Sequence, residues 1–135
     1  IQLVLPFFKD FALRPNPYNE QKILLEWQDK SSDMRFNAGD LSDGSLRFIC
    51  LATLLLQPNL PSLILLDEPE LGLHPTALAL LAGLLKKAAS RTQVIVSTQS
   101  VNLVNAFSPD DIIVVDREDT DGRPGHSTFR RLQTE

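Results

Sequence analysis

Cysteine is almost missing from this chain, with one residue, Cys50, in 135. A lone cysteine excludes an internal disulfide framework and suits a reducing compartment. Its place in an apolar run makes it a small core hydrophobe rather than a nucleophile. Long hydrophobic runs are missing as well. The longest apolar stretch, residues 48–56, is closed off by Pro58 and falls short of the roughly 20 residues a bilayer span requires. No membrane anchor or signal peptide is expected, and the expected location is cytoplasmic. There is no excess of positive charge: 13 basic and 17 acidic residues give a net charge of −4, which offers no global attraction for a polyanion such as DNA. Lys86, Lys87 and Arg91 gather in one place and Arg130 and Arg131 in another, so no basic stripe forms. Aromatic residues make up 7% of the chain. Phe7, Phe8, Phe11 and Trp27 lack interleaved basic residues and read as packing groups rather than a base-stacking platform. Repeats and low-complexity segments are absent.

What is present is a chain with 43% hydrophobic residues, enough for one globular domain over residues 1–135 with a real core. It starts at Ile1 with a strand-like run, "IQLVLPFF", and reads as a piece of something longer. Residues 1–40 form a strand and loop region, in which the breaker cluster "RPNPYN" separates that run from "ILLEW". Residues 41–135 change texture. A helix is expected over residues 43–57, apolar almost all round and so buried on most faces. A strand over 63–66 is apolar on both faces, as a central parallel strand should be. His74-Pro75 opens a helix whose core face is Leu78, Leu81, Ala82 and Leu85, with Lys86, Lys87 and Arg91 near its C-terminal end, where the macrodipole favours cations. The strand "QVIVST" follows; Ser100 caps a short helix through Phe107, "DIIVVD" is another strand, and "DTDGRPG" turns into a closing strand "STFRRL". Strands alternating with helices predict an α/β fold with a mainly parallel sheet flanked by helices, preceded by N-terminal strands.

In such a sheet, ligands bind beyond the carboxyl ends of the strands. Asp67 and Glu68 stand at the end of "LILL". Pro69 biases Glu68 toward an extended backbone, which aims its side chain away from that of Asp67. Two carboxylates pointing differently can divide the work, one binding Mg²⁺ through water and the other orienting or deprotonating an attacking water. The bland alternative is a pair of solvated acids at a strand end. "LSDGS", residues 41–45, places Ser42 at a helix N-cap and Gly44 in its first turn, which makes an anion site or an ordinary serine cap. "VIVSTQS" ends a strand with Ser97, Thr98 and Gln99, which reach the same mouth if the two strands are neighbours.

In order and spacing these segments resemble the second half of an ABC-type ATPase head, as in the SMC and RecF-like branch and in bacterial ATPases described as AAA ATP-binding proteins. "LSDGS" is similar to the signature, "LILLDE" to the Walker B strand, "PELGLHP" to the D-loop and "STQS" to the switch. The resemblance implies a P-loop NTPase-like fold, the C-terminal lobe of such a head, that binds and hydrolyses ATP with Mg²⁺ as a homodimer around two nucleotides. It implies that Asp67 holds the Mg²⁺ shell and that Glu68 is the general base or water-orienting group. Gln99 stands where a histidine is common; a glutamine can hydrogen-bond phosphate and water but cannot take up a proton, so it senses and positions. Ser42, the Gly44 amide and Ser45 would grip the γ-phosphate of a nucleotide on the opposite subunit, and Gly72, Leu73 and His74 would lie along the dimer seam.

Two departures stand out. Asp43 replaces a glycine common in the signature and puts negative charge near a phosphate site. A G-x-x-x-x-G-K-[ST] loop is absent: Gly39 and Gly44 have the right separation, but Ser45 occupies the lysine position. Without that loop's amides and lysine the phosphates lose their main cradle. The isolated chain is therefore expected to bind ATP poorly and to need a phosphate-loop lobe as partner. His74 and His126 make unpersuasive metal ligands, since no third ligand stands at a telling spacing. The alternative to an ATPase is a nucleotide-gated module, with little turnover, that holds DNA or a partner protein; a non-enzymatic scaffold is a third reading. Which process hydrolysis would drive is outside the reach of fold-level analogy.

Overall fold

The computed structural model describes residues 1–118 and 125–132. The chain opens not with a strand but with turns, in which the amides of Val4 and Leu5 donate to the Ile1 carbonyl. β1 (Phe8–Asn16) and β2 (Asn19–Asp29) form an antiparallel hairpin, and β3 (Arg35–Asn37) pairs with the far side of β2. The breaker cluster therefore lies partly inside the hairpin: Asn16 and Asn19 side chains accept from Tyr18 N and Gln21 N and close the turn. Pro15 is tolerated because β1 is an edge strand, where a missing donor is harmless. One face of this meander buries Phe8 and Trp27 together with Leu5, Leu41 and Ile49. Trp27 stacks with Phe36 at 4.9 Å and Phe7 leans on it at 5.5 Å, so the aromatic residues are packing groups. Glu26 is the buried charged residue among those described, and Arg14 grips its carboxylate at two points, 2.8 and 2.7 Å.

A short 3₁₀ turn (Ala38–Asp40), closed by Asp40 accepting from Asn37 N, leads into α1 (Asp43–Leu55). Ser42 caps α1 by accepting from Ser45 N. The helix is shared between cores: Ile49 faces the meander, Leu51 and Leu55 face the lobe, and Phe48 and Ala52 pack with Ala77. That leaves an outward stripe at helical spacing, Arg47, Cys50 and Thr53. Cys50 is therefore exposed rather than part of the core, because its run is apolar on more faces than the neighbours cover.

β4 (Leu63–Asp67), α2 (Pro75–Ala89) and β5 (Gln93–Ser97) form a parallel βαβ unit in register from Leu63↔Gln93 to Asp67↔Ser97. His74 caps α2 with Pro75 in its first turn, and Leu81, Ala82, Leu85 and Ala88 are buried against Ile64 and Leu103. Ser100 caps α3 (Val101–Val104), which ends earlier than residue 107. β6 (Ile113–Glu118) and β7 (His126–Arg131) pair antiparallel. His126 thus belongs to a strand, facing Glu118 at 3.6 Å, and most of the expected turn "DTDGRPG" lies outside the described residues.

The fold is α/β, but among the described residues it is not built on one mainly parallel sheet. Only β4 and β5 are parallel, and the other two sheets are antiparallel. Nor is β4 buried on both faces. Ile64 and Leu66 face α2, whereas Leu63 and Leu65 on the other side are 42% and 66% exposed, and Ile95 on β5 is 50% exposed. A two-stranded unit with its helix on one side covers only that side. No helix among the described residues is long and apolar enough to cross a membrane.

Candidate functional site

The parallel pairing of β4 and β5 ends at Asp67↔Ser97, so both strands release their next residues at one edge. Ser97 Oγ donates to Asp67 Oδ1, and Gln99 Nε2 donates to Glu68 Oε1 at 3.4 Å. The acid pair and the glutamine therefore share a mouth, as the strand order requires if ligand chemistry is to assemble there. Asp67 and Gln99 are exposed, and Glu68 is half-buried.

Glu68 departs from expectation in its backbone. Its φ is 41°, the left-handed region that side chains with a Cβ seldom adopt, instead of the extended form the following proline favours. Hydrogen bonding holds it there. Glu68 N donates to Ser97 O at 2.9 Å, while Glu68 O accepts from Leu71 N at 3.2 Å and from Arg47 Nη1 at 3.4 Å. The chain thus turns sharply as it leaves β4, with Pro69 buried beneath the turn. Such over-determined strain is common at functional sites.

The first turn of α1 approaches from the other side. A Cβ on Gly44 would stand 2.1 Å from the Gly72 carbonyl oxygen, so only glycine lets the first turn of α1 meet the turn at Gly72, which itself has φ of 76°. Ser42 and Ser45 hydroxyls lie 2.9 Å apart and satisfy each other at the cap. Neither touches the acids. His74 spends Nδ1 on its own cap, accepting from Thr76 N at 3.4 Å. Asp67 and Glu68 line a recess with Arg47, Leu51, Leu66, Pro69 and Leu71.

Two residues of this region carried no role in the reading of the sequence. Arg47 is the signal that spacing offered, a cation one turn after Gly44 on α1. Glu70 is the other: its Oε1 accepts from Thr98 Oγ1, and Oε2 is buried with no hydrogen-bond partner. Among the described residues no group of three or more His, Cys, Asp and Glu has metal-holding geometry.

Comparison with known proteins now decides the family. Residues 5–105 match the model of the family described as "AAA domain, putative AbiEii toxin, Type IV TA system". The chain belongs to this AAA domain family. Two solved structures are similar to this AAA domain, each at 18% identity over 98% of this chain with a TM-score of 0.67. One comes from work on ATP-driven dimerization and DNA-stimulated activation of SMC ATPases, and this chain covers 78% of it. The other is an SMC head bound to the C-terminal winged-helix domain of ScpA, of which this chain covers 40%. At that identity the likeness shows the fold, that of an SMC ATPase head. A search among curated proteins gives no match. The matched stretch of the AAA domain contains Ser42 to Ser45, the acid pair and Ser97 to Ser100.

Proposed function

We propose that this chain is the signature and Walker B half of an ABC-type ATPase head, acting in ATP hydrolysis when a phosphate-loop lobe completes it. The observation that carries this reading is the meeting of Gln99 with Glu68 at 3.4 Å, beside Asp67, at the end of a parallel strand pair. Asp67 would hold Mg²⁺, which when bound neutralises charge on the phosphates. A single exposed carboxylate fits that ion, because Mg²⁺ keeps most of its waters and completes its shell with substrate phosphate rather than a protein cage. Glu68 orients and deprotonates the attacking water, and Gln99 positions that water and reads the terminal phosphate. Ser42 and Ser45 bond each other rather than the acids, and with the Gly44 amide they would serve a nucleotide on a second copy. Gly72 and His74 then line the seam of a homodimer around two nucleotides.

The exposed face formed by Leu63, Leu65 and Ile95 is where a phosphate-loop lobe would pack, covering the side of β4 and β5 that α2 does not. The domain division at residue 40, the magnesium requirement, the dimer and the cytoplasmic setting belong to this same proposal. The test is a Mg²⁺ titration of ATP turnover in the complete protein. Asp67→Asn raises the Mg²⁺ concentration needed for half-maximal rate; an unaltered titration removes Asp67 from the role.

A second reading is favoured by Gln99, whose amide cannot accept a proton. In it, ATP mainly drives two heads together on DNA or a partner protein and turnover is slight. An ATP-dependent dimer with negligible hydrolysis supports it.

A further inference from the structure

Three consecutive residues at the carboxyl end of β5 each meet a different acid: Ser97 donates to Asp67, Thr98 to Glu70 and Gln99 to Glu68. The contacts differ in setting. Asp67, Ser97 and Gln99 are exposed, so water, a cation or phosphate competes for them, whereas Thr98 and Glu70 are both half-buried. The Thr98 hydroxyl is doubly used, since its Oγ1 also accepts from Ser100 N at 3.0 Å, and Ser100 caps α3. Glu70 O in turn accepts from Leu73 N at 3.0 Å, one residue before the cap of α2. The Glu70–Thr98 contact therefore joins the turn that starts α2 to the turn that starts α3. Packing alone does not explain a carboxylate there, because burying Oε2 without a partner is unfavourable.

We propose that Glu70 is a positioning residue: through Thr98 it fixes the segment after β5 so that Gln99 stays against Glu68. This inference rests on the reading of Glu68 and Gln99 as the hydrolytic pair. It differs from that reading in giving Glu70 no contact with substrate or water. The half-buried Glu70–Thr98 contact ties the two turns together and keeps them in register. Groups that orient a site's contacting residues are worth roughly 10- to 100-fold in activity.

The experiment compares Glu70→Ala, Glu70→Gln, Thr98→Val and the Glu70→Ala/Thr98→Val pair by two readouts. The first is the side-chain amide signal of Gln99 and its ¹⁵N relaxation in this chain without nucleotide. Glu70→Ala and Thr98→Val move and mobilise that signal, and Glu70→Gln, which retains an oxygen acceptor for the Thr98 hydroxyl, leaves it close to the parent. The second is steady-state ATP turnover of the complete protein. There Glu70→Ala lowers kcat about 10- to 100-fold with KM changed by less than about threefold, Glu70→Gln restores most of the rate, and the double variant is no worse than either single one. An unchanged Gln99 signal in Glu70→Ala overturns the proposal, as does a Glu70→Gln variant as impaired as Glu70→Ala. Should Glu70→Ala fail to fold, Thr98→Val decides by the same signal. If the parent complete protein has no turnover, the hydrolytic reading fails, while the Gln99 signal still decides whether Glu70 positions that residue.

Discussion

The two parts of the molecule treat negative charge in opposite ways. In the N-terminal meander the buried acid, Glu26, meets a guanidinium in a two-point ion pair, and the Arg14 side chain lies across the hairpin from it. In the βαβ lobe the three acids Asp67, Glu68 and Glu70 meet hydroxyls and an amide, and the nearby cation Arg47 reaches only the Glu68 backbone carbonyl. An acid neutralised by its own chain serves structure. Of the acids met by neutral donors, Asp67 and Glu68 stand open to the metal and water of the proposed reaction, whereas Glu70 lies inside as a positioning group. The cores differ in parallel: stacked aromatic rings hold the meander, and interdigitated leucines and alanines hold the lobe.

The comparison can be broken first at the cores. Trp27→Ala should lower stability by about 3–5 kcal/mol in denaturant unfolding, while the Gln99 side-chain signal stays in place; a loss under about 1 kcal/mol would show that the rings do not hold the meander. Leu81→Ala should cost roughly 2–5 kcal/mol and, unlike the tryptophan variant, disturb Gln99, because Leu81 is fully buried beneath the strands that carry the site. Gly44→Ala should come next, at about 1–3 kcal/mol, since its Cβ would run into the Gly72 carbonyl. A neutral outcome there means the turns at Gly44 and Gly72 do not touch.

These sites also show how far the sequence was legible. Helix caps at Ser42 and Ser100, the helix start at His74-Pro75 and the α2 core face follow from local chemistry and period, and the structure has them, whereas the adjacency of the two strand ends, which the sequence left conditional, comes from the β4–β5 pairing. Cys50 misled because an apolar run states what could be buried, not how many neighbours exist to bury it. The same reasoning applies to Leu65 and Ile95, whose outer face lacks a covering layer among the described residues. Glu68 misled because the local preference imposed by Pro69 gives way to tertiary hydrogen bonds, one donated by its amide to the Ser97 carbonyl and one accepted by its carbonyl from Arg47. Glu70 could not be singled out at all: its meaning lies in Thr98, 28 positions away in the chain.

The smaller effects sharpen the contrast of charges. Arg14 holds the Glu26 carboxyl below its ordinary value of 4.5, chiefly through the side-chain hydrogen bond. The unfolded chain therefore binds more protons than the folded one as pH falls through 4.5. The stabilisation is complete above that value and is lost on acidification through the folded one. Melting temperature followed from neutral to acidic pH should fall less steeply in Arg14→Met; equal slopes would deny the pair its role. Asp67→Asn should change stability by no more than about 0.5 kcal/mol, as expected of an exposed group whose negative charge is not answered by a cation of the fold. A large loss would make Asp67 a structural acid like Glu26.

The most direct measurement is the Mg²⁺-dependent ATP turnover of the complete protein carrying Glu68→Gln, with nucleotide affinity measured alongside. The expected result is a fall in turnover of roughly 10²- to 10⁴-fold with binding retained, because the variant keeps shape and hydrogen bonding but loses the basic oxygen. Turnover equal to that of the parent would contradict the assignment of this strand end as the place where water is activated.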